Sequence, residues 1–325
     1  MNNDILVSIA MLTYNHEKYI KESIDSVINQ NVNFRYEIVI GDDASLDNTQ
    51  AILKDYQREY PDKIKLILRK NNIGPTKNFH DILMHCRGKY IATLEGDDFW
   101  SDENKLNIQT KFLESNWDFV AVSHSCNTFD QDKKVYINGG TYFYENDHDY
   151  GFNDFKHIQF PGHTSTMLYK NIFLDKTKDY SILYNADKYT ADRTIVLLLV
   201  LEGKIFCIGK TMSTYRKVRA LGESNINSLY LDKNTYLIQF TYIIALDEYS
   251  KQICGKTCLS LQIIDSYIIG SYATYLKSRT KENKKIFEKL YEHRKHVYLY
   301  YLFSTIKLMC KKKIKNFVKH IFNLD

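Results

Sequence analysis

The sequence predicts an α/β protein built on a doubly wound, mostly parallel sheet that is covered by helices. The first observation is that short β-rich apolar runs alternate with helical patterns through the first 125 residues. The second is composition: the 325 residues are 44% hydrophobic, 14% aromatic and 26% charged with three prolines, which excludes disordered, collagen-like and proline-rich proteins. The third is length, which suits two domains or one large domain with an appendage.

Five apolar runs are predicted strands, and the amphipathic stretches between them are predicted helices. The strands are predicted over 5–12, 36–40, 64–68, 90–94 and 119–123. The helices are predicted over 17–29, 49–60, 76–86 and 103–115. In the first helix, Ile20, Ile24, Val27 and Ile28 recur at helical spacing and would pack on the sheet. Right-handed crossovers between parallel strands then place a ligand site beyond the carboxyl ends of the strands.

The second half of the chain is less regular. Residues 126–160 are aromatic and rich in Asp and Asn, with a hairpin signal at Gly139 and Gly140, and we interpret them as an insertion or acceptor-side loop. Regular patterns resume after this stretch, and they predict a strand over 164–169 and a helix over 191–202. Beyond about residue 221 the pattern is helical, so we predict one domain over 1–220 and a helical C-terminal region over 221–325.

The formal net charge of +5 is concentrated at the C-terminal end. Residues 281–325 carry twelve Lys or Arg against four Asp or Glu, which leaves the rest of the chain mildly acidic. An acidic body argues against nucleic acid as a partner. From Ile306 onward apolar and lysine residues alternate at helical spacing, which predicts a basic amphipathic helix. This helix would either lie on an anionic membrane or pack on its own domain or a second subunit of a homo-oligomer.

Cysteine usage and hydropathy predict the compartment. Six cysteines are scattered without a paired framework, and no apolar leader segment begins the chain. No apolar run reaches the eighteen or so residues that a membrane-spanning helix needs. We therefore expect a cytoplasmic protein, with the basic tail as the candidate for peripheral contact with the inner face of the membrane.

Two short segments that are rich in acidic residues follow predicted strands. One is Gly41 to Ser45, with Asp42 and Asp43, and the other is Glu95 to Asp98. Because gathered carboxylates repel one another, such a site usually expects a divalent cation or hydroxyl and imide donors. The alternative is that each segment is a strand-to-helix turn whose acidic side chains cap the next helix.

Four segments in this order resemble the motifs of glycosyltransferase family 2. They are Val7 to Asn15, Gly41 to Thr49, Asn71 to Gly74 with Asn78, and Gly88 to Trp100. The resemblance covers roughly residues 5–220 and implies the GT-A fold for that domain. It further implies transfer of a sugar from a nucleotide diphosphate donor, most often a UDP-sugar, to an acceptor hydroxyl with inversion of the anomeric centre.

The resemblance also implies roles for particular residues. Asp97 would be the metal ligand with Asp98 as the next choice, and the cofactor would be Mn²⁺ or Mg²⁺. The family motif is usually Asp-x-Asp, and here Glu95 stands in the first position. The residues expected to bind the nucleotide are Thr13, Tyr14, Asn15, Asp42, Asp43, Asn72, Asn78, Glu95 and Gly96.

An inverting displacement needs a base, and the resemblance places it at Asp192, with Asp187 in reserve. The alternative for Asp192 is a helix N-cap. Arg216, in a Tyr-Arg pair expected after the last strand, would approach the diphosphate or be a solvated strand end. His163 and Thr164 would line the acceptor side, although a lone histidine is more often structural.

The sequence therefore predicts an inverting hexosyl- or N-acetylhexosaminyltransferase of surface polysaccharide biosynthesis, with a glycan or lipid-linked glycan as acceptor. Two other functions remain open. A sugar nucleotidyltransferase shares the sheet and a metal site, but its glycine-rich basic loop is missing after Leu12. A non-catalytic binding or scaffolding protein could keep the same fold.

Overall fold

The computed structural model describes residues 4–137, 144, 146–218 and 235–292, and its strands join in one sheet. The strands are β1 (Val7–Thr13), β2 (Tyr36–Asp42), β3 (Ile64–Leu68), β4 (Tyr90–Glu95), β5 (Phe99–Trp100), β6 (Phe119–Asp130), β7 (Val135–Tyr136), β8 (His148–Tyr150), β9 (Leu168–Lys170) and β10 (Lys204–Lys217). The helices are α1 (Ile20–Ile28), α2 (Thr49–Glu59), α3 (Pro75–His85), α4 (Lys105–Ser115), α5 (Phe152–Phe155), α6 (Ile182–Asn185), α7 (Asp192–Glu202), α8 (Thr235–Cys254), α9 (Leu261–Ser278) and α10 (Lys281–Tyr291).

The strand order confirms the predicted fold class. Along the sheet it is β3-β2-β1-β4-β9-β6-β10-β5, with β7 beside β6 and β8 beside β10. The pairs β1/β2, β2/β3, β1/β4 and β6/β10 are parallel, whereas β9 runs antiparallel to both β4 and β6. The first parallel half brings the carboxyl ends of β1, β2 and β4 to one edge, where the motif residues follow.

Apolar strands and one stripe on each helix build the core. Ile9 and Ile38 lie side by side in the β1/β2 pair and are completely buried. On α1, Ile20, Ile24 and Val27 are buried against the sheet, as their spacing predicted. The charged side chain inside this pair of strands is Glu37, which is buried and paired with Arg87, and the other acidic side chains collect at the carboxyl ends of the strands.

The structure corrects three details of the predicted elements. Residues 126–130, expected to be irregular, continue strand β6, and β7, β8 and α5 lie in the same stretch. The predicted strand over 164–169 begins as a 3₁₀ turn, Thr164–Thr166, before β9. Tyr215 and Arg216 lie within β10 rather than after it. The hairpin predicted at Gly139 and Gly140 lies outside the described residues.

The C-terminal region is helical where it is described, as predicted. Contacts divide the described chain into one unit of residues 4–218 with Tyr242–Cys258, and a second of 235–241 and 259–292. The predicted boundary at 220 and the basic tail from Ile306 both fall outside the described residues. Among the described helices, none is long and apolar enough to cross a membrane. The described cysteines are free thiols, namely Cys86, Cys126, Cys207, Cys254 and Cys258.

Candidate active site

The loops after β1 and β2 are tied to each other. Asn15 donates its backbone N–H to Ser45 Oγ at 2.9 Å, and its side-chain oxygen accepts the N–H of Leu46 at 2.8 Å. Asn15 and Ala44 both adopt left-handed backbone conformations, with φ of 56° and 64°. Such conformations cost energy in non-glycine residues and persist where the surroundings fix them. The two loops therefore form one rigid rim at the edge of the sheet.

The two adjacent aspartates at the end of β2 have different hydrogen-bond partners. Asp42 is completely buried and accepts hydrogen bonds from the Ser45 N–H at 3.0 Å and Gln50 Nε2 at 2.6 Å, so it holds the loop. Asp43 accepts the backbone N–H groups of Ile73 and Gly74 at 2.8 and 2.9 Å, one on each carboxylate oxygen. Burial raises the pKa of Asp43, against the lowering effect of those two N–H groups. Each Asp43 oxygen keeps a lone pair for a further donor.

The other residues predicted to bind the nucleotide lie around the same rim. Asn72 donates from Nδ2 to the Asp43 carbonyl at 3.1 Å. Asn78 is buried and bridges the Gly41 carbonyl at 2.8 Å and Arg69 Nε at 3.0 Å, so it braces the rim from below. Thr13 is buried, and within the described chain its hydroxyl has no hydrogen-bond partner. Tyr14 follows it and is half-buried.

Gly96 allows the β4 loop to approach the β1 loop closely. Its N–H donates to the Leu12 carbonyl at 2.7 Å, and a Cβ added here would lie 2.8 Å from His16 Nδ1 and 3.0 Å from Thr13 Cβ. His16 is buried, and its Nδ1 has no hydrogen-bond partner among the described residues. Its Nε2 lies 3.9 Å from Oδ2 of Asp97. Sequence reasoning missed His16, whose one signal is its position directly after the first motif.

Three ligand-type side chains converge beside this loop. One ligand atom each from Glu95, Asp98 and His163 lies within 4.8 Å of the others, and His163 Nδ1 is 3.5 Å from Asp98 Oδ2. Asp98 is completely buried, and its Oδ2 accepts no hydrogen bond from the described residues. A buried carboxylate oxygen without a donor is costly, and a divalent cation would satisfy it. The acidic cluster of Glu95, Asp98 and His163 therefore fits the cation that the sequence predicts.

The electrostatics of the acidic cluster point the same way. Burial raises the pKa of Glu95 well above its usual range, and the charges of Asp97 and Asp192 raise it further. Burial, with the charges of Asp97 and Glu95, does the same to the pKa of Asp98. Burial lowers the pKa of His163 to about 4, against the opposing influence of Asp97. Without a cation the cluster thus favours neutral groups, whereas a bound cation would favour the ionised carboxylates and neutral imidazole that ligate metals.

The cluster differs in membership from the predicted metal site. Asp98, the second choice, belongs to it, and His163, predicted on the acceptor side, belongs to it as well. Asp97 lies beside it, with its side chain 20% exposed and turned toward His16. The role of Asp97 as a metal ligand stays a prediction.

Arg216 is engaged inside the protein, which gives no support to its predicted contact with a diphosphate. Its backbone N–H donates to Asp98 Oδ1 at 2.8 Å, its Nε donates to the Asp97 carbonyl at 2.8 Å, and its Nη2 binds Glu22. The guanidinium also lies 5.0 Å from the ring centre of Tyr19. Arg216 is 5% exposed, so it is neither a solvated strand end nor a free cation. It positions the loop that carries the two aspartates.

The turn that carries His163 and Thr164 is held from behind by buried donors. Trp100 Nε1 donates to the Ser165 carbonyl at 2.9 Å, and Gln109 Nε2 donates to the Thr166 carbonyl at 2.8 Å. Thr164 donates to Glu95 Oε1 at 3.4 Å. This turn connects two members of the acidic cluster that are 68 positions apart in sequence.

A pocket opens between the N-terminal ends of α3 and α7. It encloses about 400 Å³, part of it open to solvent, and both Glu95 and Asp192 line it. Asp192 is the first residue of α7, and burial raises the pKa of its carboxyl against the lowering effect of Arg193. Asp187, the reserve base, accepts the N–H groups of Tyr189 and Thr190 at 2.8 and 2.9 Å and does not line this pocket.

Comparison with known proteins then identifies the family. The model of the family described as glycosyl transferase family 2 matches residues 8–175, which is more than half of the chain. The chain belongs to glycosyltransferase family 2. The predicted family is thus confirmed, and the match spans β1 to β9 with the acidic cluster inside it.

Relatives within this family share parts of the chain. An uncharacterized protein of Mycobacterium bovis is 42% identical over 118 residues, which is 36% of this chain and 34% of that protein. The minor teichoic acid biosynthesis protein GgaA of Bacillus subtilis is 27% identical over 288 residues, covering 83% of this chain and 60% of GgaA. The matched part of the chain thus spans between about a third and three fifths of these two proteins' length.

Solved structures agree on the fold of this family 2 member. The crystal structure of S. aureus TarS in complex with UDP-GlcNAc aligns with a TM-score of 0.58 at 16% identity, over 88% of this chain and 79% of that chain. At that identity the likeness concerns the fold alone. It confirms the GT-A architecture that the sequence predicts.

Proposed function

We propose that this family 2 protein is an inverting glycosyltransferase that moves a sugar from a nucleotide diphosphate donor, with a UDP-sugar as the preferred class, to a hydroxyl group. The observation that carries the proposal is one continuous site. The acidic cluster, the pocket and the Asp192 carboxylate adjoin each other, because Glu95 belongs to both the cluster and the pocket. A transferase needs these three parts side by side: a place for the diphosphate, one for the sugar and a base.

Residues at the β1 and β2 loops supply the nucleotide end. Asp43 keeps a free lone pair on each oxygen, which suits the imide of uracil or the ribose hydroxyls. The unpartnered hydroxyl of Thr13 lies next to Gly96, where the two loops meet. Asp42 and Asn78 hold this rim in place from within, so we assign them a positioning role.

Glu95, Asp98 and His163 would hold a divalent cation, Mn²⁺ or Mg²⁺, and Asp97 stays the ligand that the sequence predicts beside them. Such a cation offsets the negative charge that grows on the departing diphosphate. The chain's own part is to keep the ligand atoms fixed. Arg216 does so through Asp98 and Asp97, and the donors Trp100 and Gln109 do so behind His163.

Asp192 would take the proton from the acceptor hydroxyl as its oxygen forms the new bond to the anomeric carbon. The bond from that carbon to the diphosphate oxygen breaks on the opposite face, and the electron pair leaves with the nucleoside diphosphate. A raised pKa suits this role, because a base works best with a pKa near the operating pH. Inversion follows from a single in-line displacement.

The acceptor and cellular setting extend the same proposal. GgaA is named for teichoic acid biosynthesis, which supports a surface glycan or lipid-linked glycan as acceptor. A cytoplasmic location, membrane contact through the tail from Ile306, and assembly into a homo-oligomer belong to the proposal on sequence grounds. The domain division at residue 220 also stays with it.

The test is release of nucleoside diphosphate by the purified full chain across a panel of UDP-, GDP- and dTDP-sugars. Each donor is measured with Mn²⁺, with Mg²⁺ and with EDTA, beside Asp98→Asn and Asp97→Ala. Metal-dependent release from one donor, lost in Asp98→Asn, is the expected result. Tight nucleotide binding without release, with or without lipid-linked acceptors, would favour the non-catalytic alternative. Release of pyrophosphate from a nucleoside triphosphate would favour the nucleotidyltransferase.

A further inference from the structure

The pocket between α3 and α7 has a uniform chemical character. Its walls are largely apolar, contributed by Leu12, Pro75, Phe79, Leu94 and Ala191. The charged side chains among its described lining residues are two carboxylates, Glu95 and Asp192, and no Lys, Arg or His lines it.

The three threonine hydroxyls of the pocket have already used their hydrogens. Thr76 donates to the Lys188 carbonyl at 3.1 Å, Thr93 donates to the Thr164 carbonyl, and Thr164 donates to Glu95 at 3.4 Å. What these hydroxyls still offer to a ligand is lone pairs. Together with the two carboxylates, they make the polar part of the pocket a set of acceptors, with the Tyr189 phenol as the one further hydroxyl in its lining.

The position of the pocket identifies which part of the donor it would receive, and this step rests on the proposed function. The base must reach the acceptor oxygen on the face of the anomeric carbon that is opposite to the diphosphate. The anomeric carbon therefore lies between the acidic cluster and Asp192. The pocket lines that interval, since Glu95 and Asp192 are both in its wall.

We propose that this pocket selects an uncharged donor sugar and rejects a hexuronic acid. The hydroxyls of a neutral hexose, or the N–H of an acetamido group, can donate to the acceptors of the pocket. Its C–H face or methyl group can pack on Phe79 and Pro75. A hexuronate would bring its carboxylate beside that of Asp192, where the described lining offers no Lys, Arg or His to pair with it. The cation that Glu95 would help to hold would be engaged by the diphosphate.

The test compares donors that differ at one carbon. UDP-glucose and UDP-glucuronic acid differ only at C6, and UDP-N-acetylglucosamine and UDP-galactose complete the UDP set. If the protein prefers GDP, GDP-mannose and GDP-mannuronic acid form the equivalent pair. Because a buried polar mismatch is penalised by large factors, we expect kcat/KM for nucleoside diphosphate release to be at least ~100-fold lower for the uronic acid. Equal values for the neutral and the acidic donor would overturn the proposal.

Binding separates this proposal from the proposed function. The same donor pairs are titrated by calorimetry with Mn²⁺, using the free nucleoside diphosphate as reference. If the protein binds the neutral donor more tightly than the acidic donor but turns over neither, the result contradicts the transferase function and supports the preference of the pocket. Equal binding of both donors would overturn the preference, whatever the turnover.

A cation placed in the pocket should reverse the preference. Tyr189 is half-buried in the lining, so Tyr189→Arg introduces a positive charge at the wall of the pocket, and Tyr189→Gln is the uncharged control that removes the same ring. We expect Tyr189→Arg to narrow the ratio between neutral and acidic donors at least ~10-fold relative to Tyr189→Gln. An unchanged ratio in a folded Tyr189→Arg protein would contradict the electrostatic basis of the proposal.

Discussion

Replacing Asp192 by Asn isolates the base from the rest of the site. The side chain keeps its shape and loses its charge and its ability to take a proton. General base catalysis typically contributes about 10²–10⁴ in rate. At 1.36 kcal/mol for each factor of ten, this is about 3–5 kcal/mol of transition-state stabilisation. We therefore expect kcat to fall by that factor, with donor affinity in the presence of Mn²⁺ within about threefold of wild type.

The same substitution, Asp192→Asn, should leave the stability of the protein unchanged or raise it, although it lowers kcat. Burial raises the pKa of Asp192 above its ordinary value of 3.8, so the folded protein holds this proton more tightly than the unfolded chain does. Stability therefore falls as the pH rises through the interval from 3.8 to the folded pKa, and above the folded pKa the wild type carries the whole penalty. The Asn variant carries none, so its Tm at pH 7 should equal or exceed that of the wild type, and the difference should vanish below about pH 4.

The assay is steady-state nucleoside diphosphate release with acceptor, beside calorimetric donor binding and thermal unfolding at pH 4 and pH 7. Asp187→Asn is the matched control, because Asp187 is five positions away, caps a turn and does not line the pocket. It should retain kcat within a few-fold. A near-normal kcat for Asp192→Asn, or an equal loss in Asp187→Asn, would refute the reasoning.

Three further substitutions probe the supports of the site. Arg216→Met removes the side-chain hydrogen bonds to Glu22 and to the Asp97 carbonyl. We expect the free energy of unfolding to fall by about 3 kcal/mol and Mn²⁺-dependent activity to be lost, and a wild-type denaturation midpoint would contradict this. Lys105 is completely buried, and burial holds its pKa well below 10.5. The Tm of the wild type relative to that of Lys105→Met should therefore rise with pH up to 10.5, and parallel Tm curves would count against this. Gly96→Ala would press a methyl group against His16. We expect calorimetry to show donor binding weakened at least ~10-fold, and the free energy of unfolding to fall by about 1–3 kcal/mol. Unaltered donor binding would contradict the close approach of the two loops at Gly96.

The elements that sequence reasoning placed correctly are those that a local pattern determines. The strands β1 and β4 are continuous apolar runs, and α1 has a regular apolar stripe, so each could be assigned from its own residues. The sequence does not predict strand β10, because Gly209, Lys210 and Thr211 interrupt its apolar residues. Its extent is set by pairing with β6, and such partners are distant in sequence.

The same division applies to the candidate site. The motifs locate Asp42 and Asp43 together. They do not reveal that Asp42 accepts a hydrogen bond from Gln50, whereas Asp43 accepts one from the Ile73 N–H. Side-chain direction at the end of a strand depends on the loops that cover it. Likewise His163 meets Asp98 from 65 positions away, and no local spacing encodes that approach.

Lys105 is a residue whose burial the sequence pattern does not predict. A charged residue in an amphipathic stretch is expected to face solvent. Here its Nζ lies 4.1 Å from the ring centre of Trp100 and donates to Gln109 Oε1 at 2.7 Å, in a buried group behind the His163 turn. Burial of a lysine depends on partners that only the fold assembles.

The central claim is that a nucleotide sugar spans the acidic cluster and the pocket, with its anomeric carbon facing Asp192. A crystal structure of the full chain with Mn²⁺ and the preferred donor, in the Asp192→Asn variant to prevent turnover, tests it most directly. We predict a cation held by Asp98 and His163, the diphosphate beside it, and the sugar ring in the pocket next to residue 192. A donor bound elsewhere, or one whose anomeric carbon is turned away from residue 192, would contradict the account.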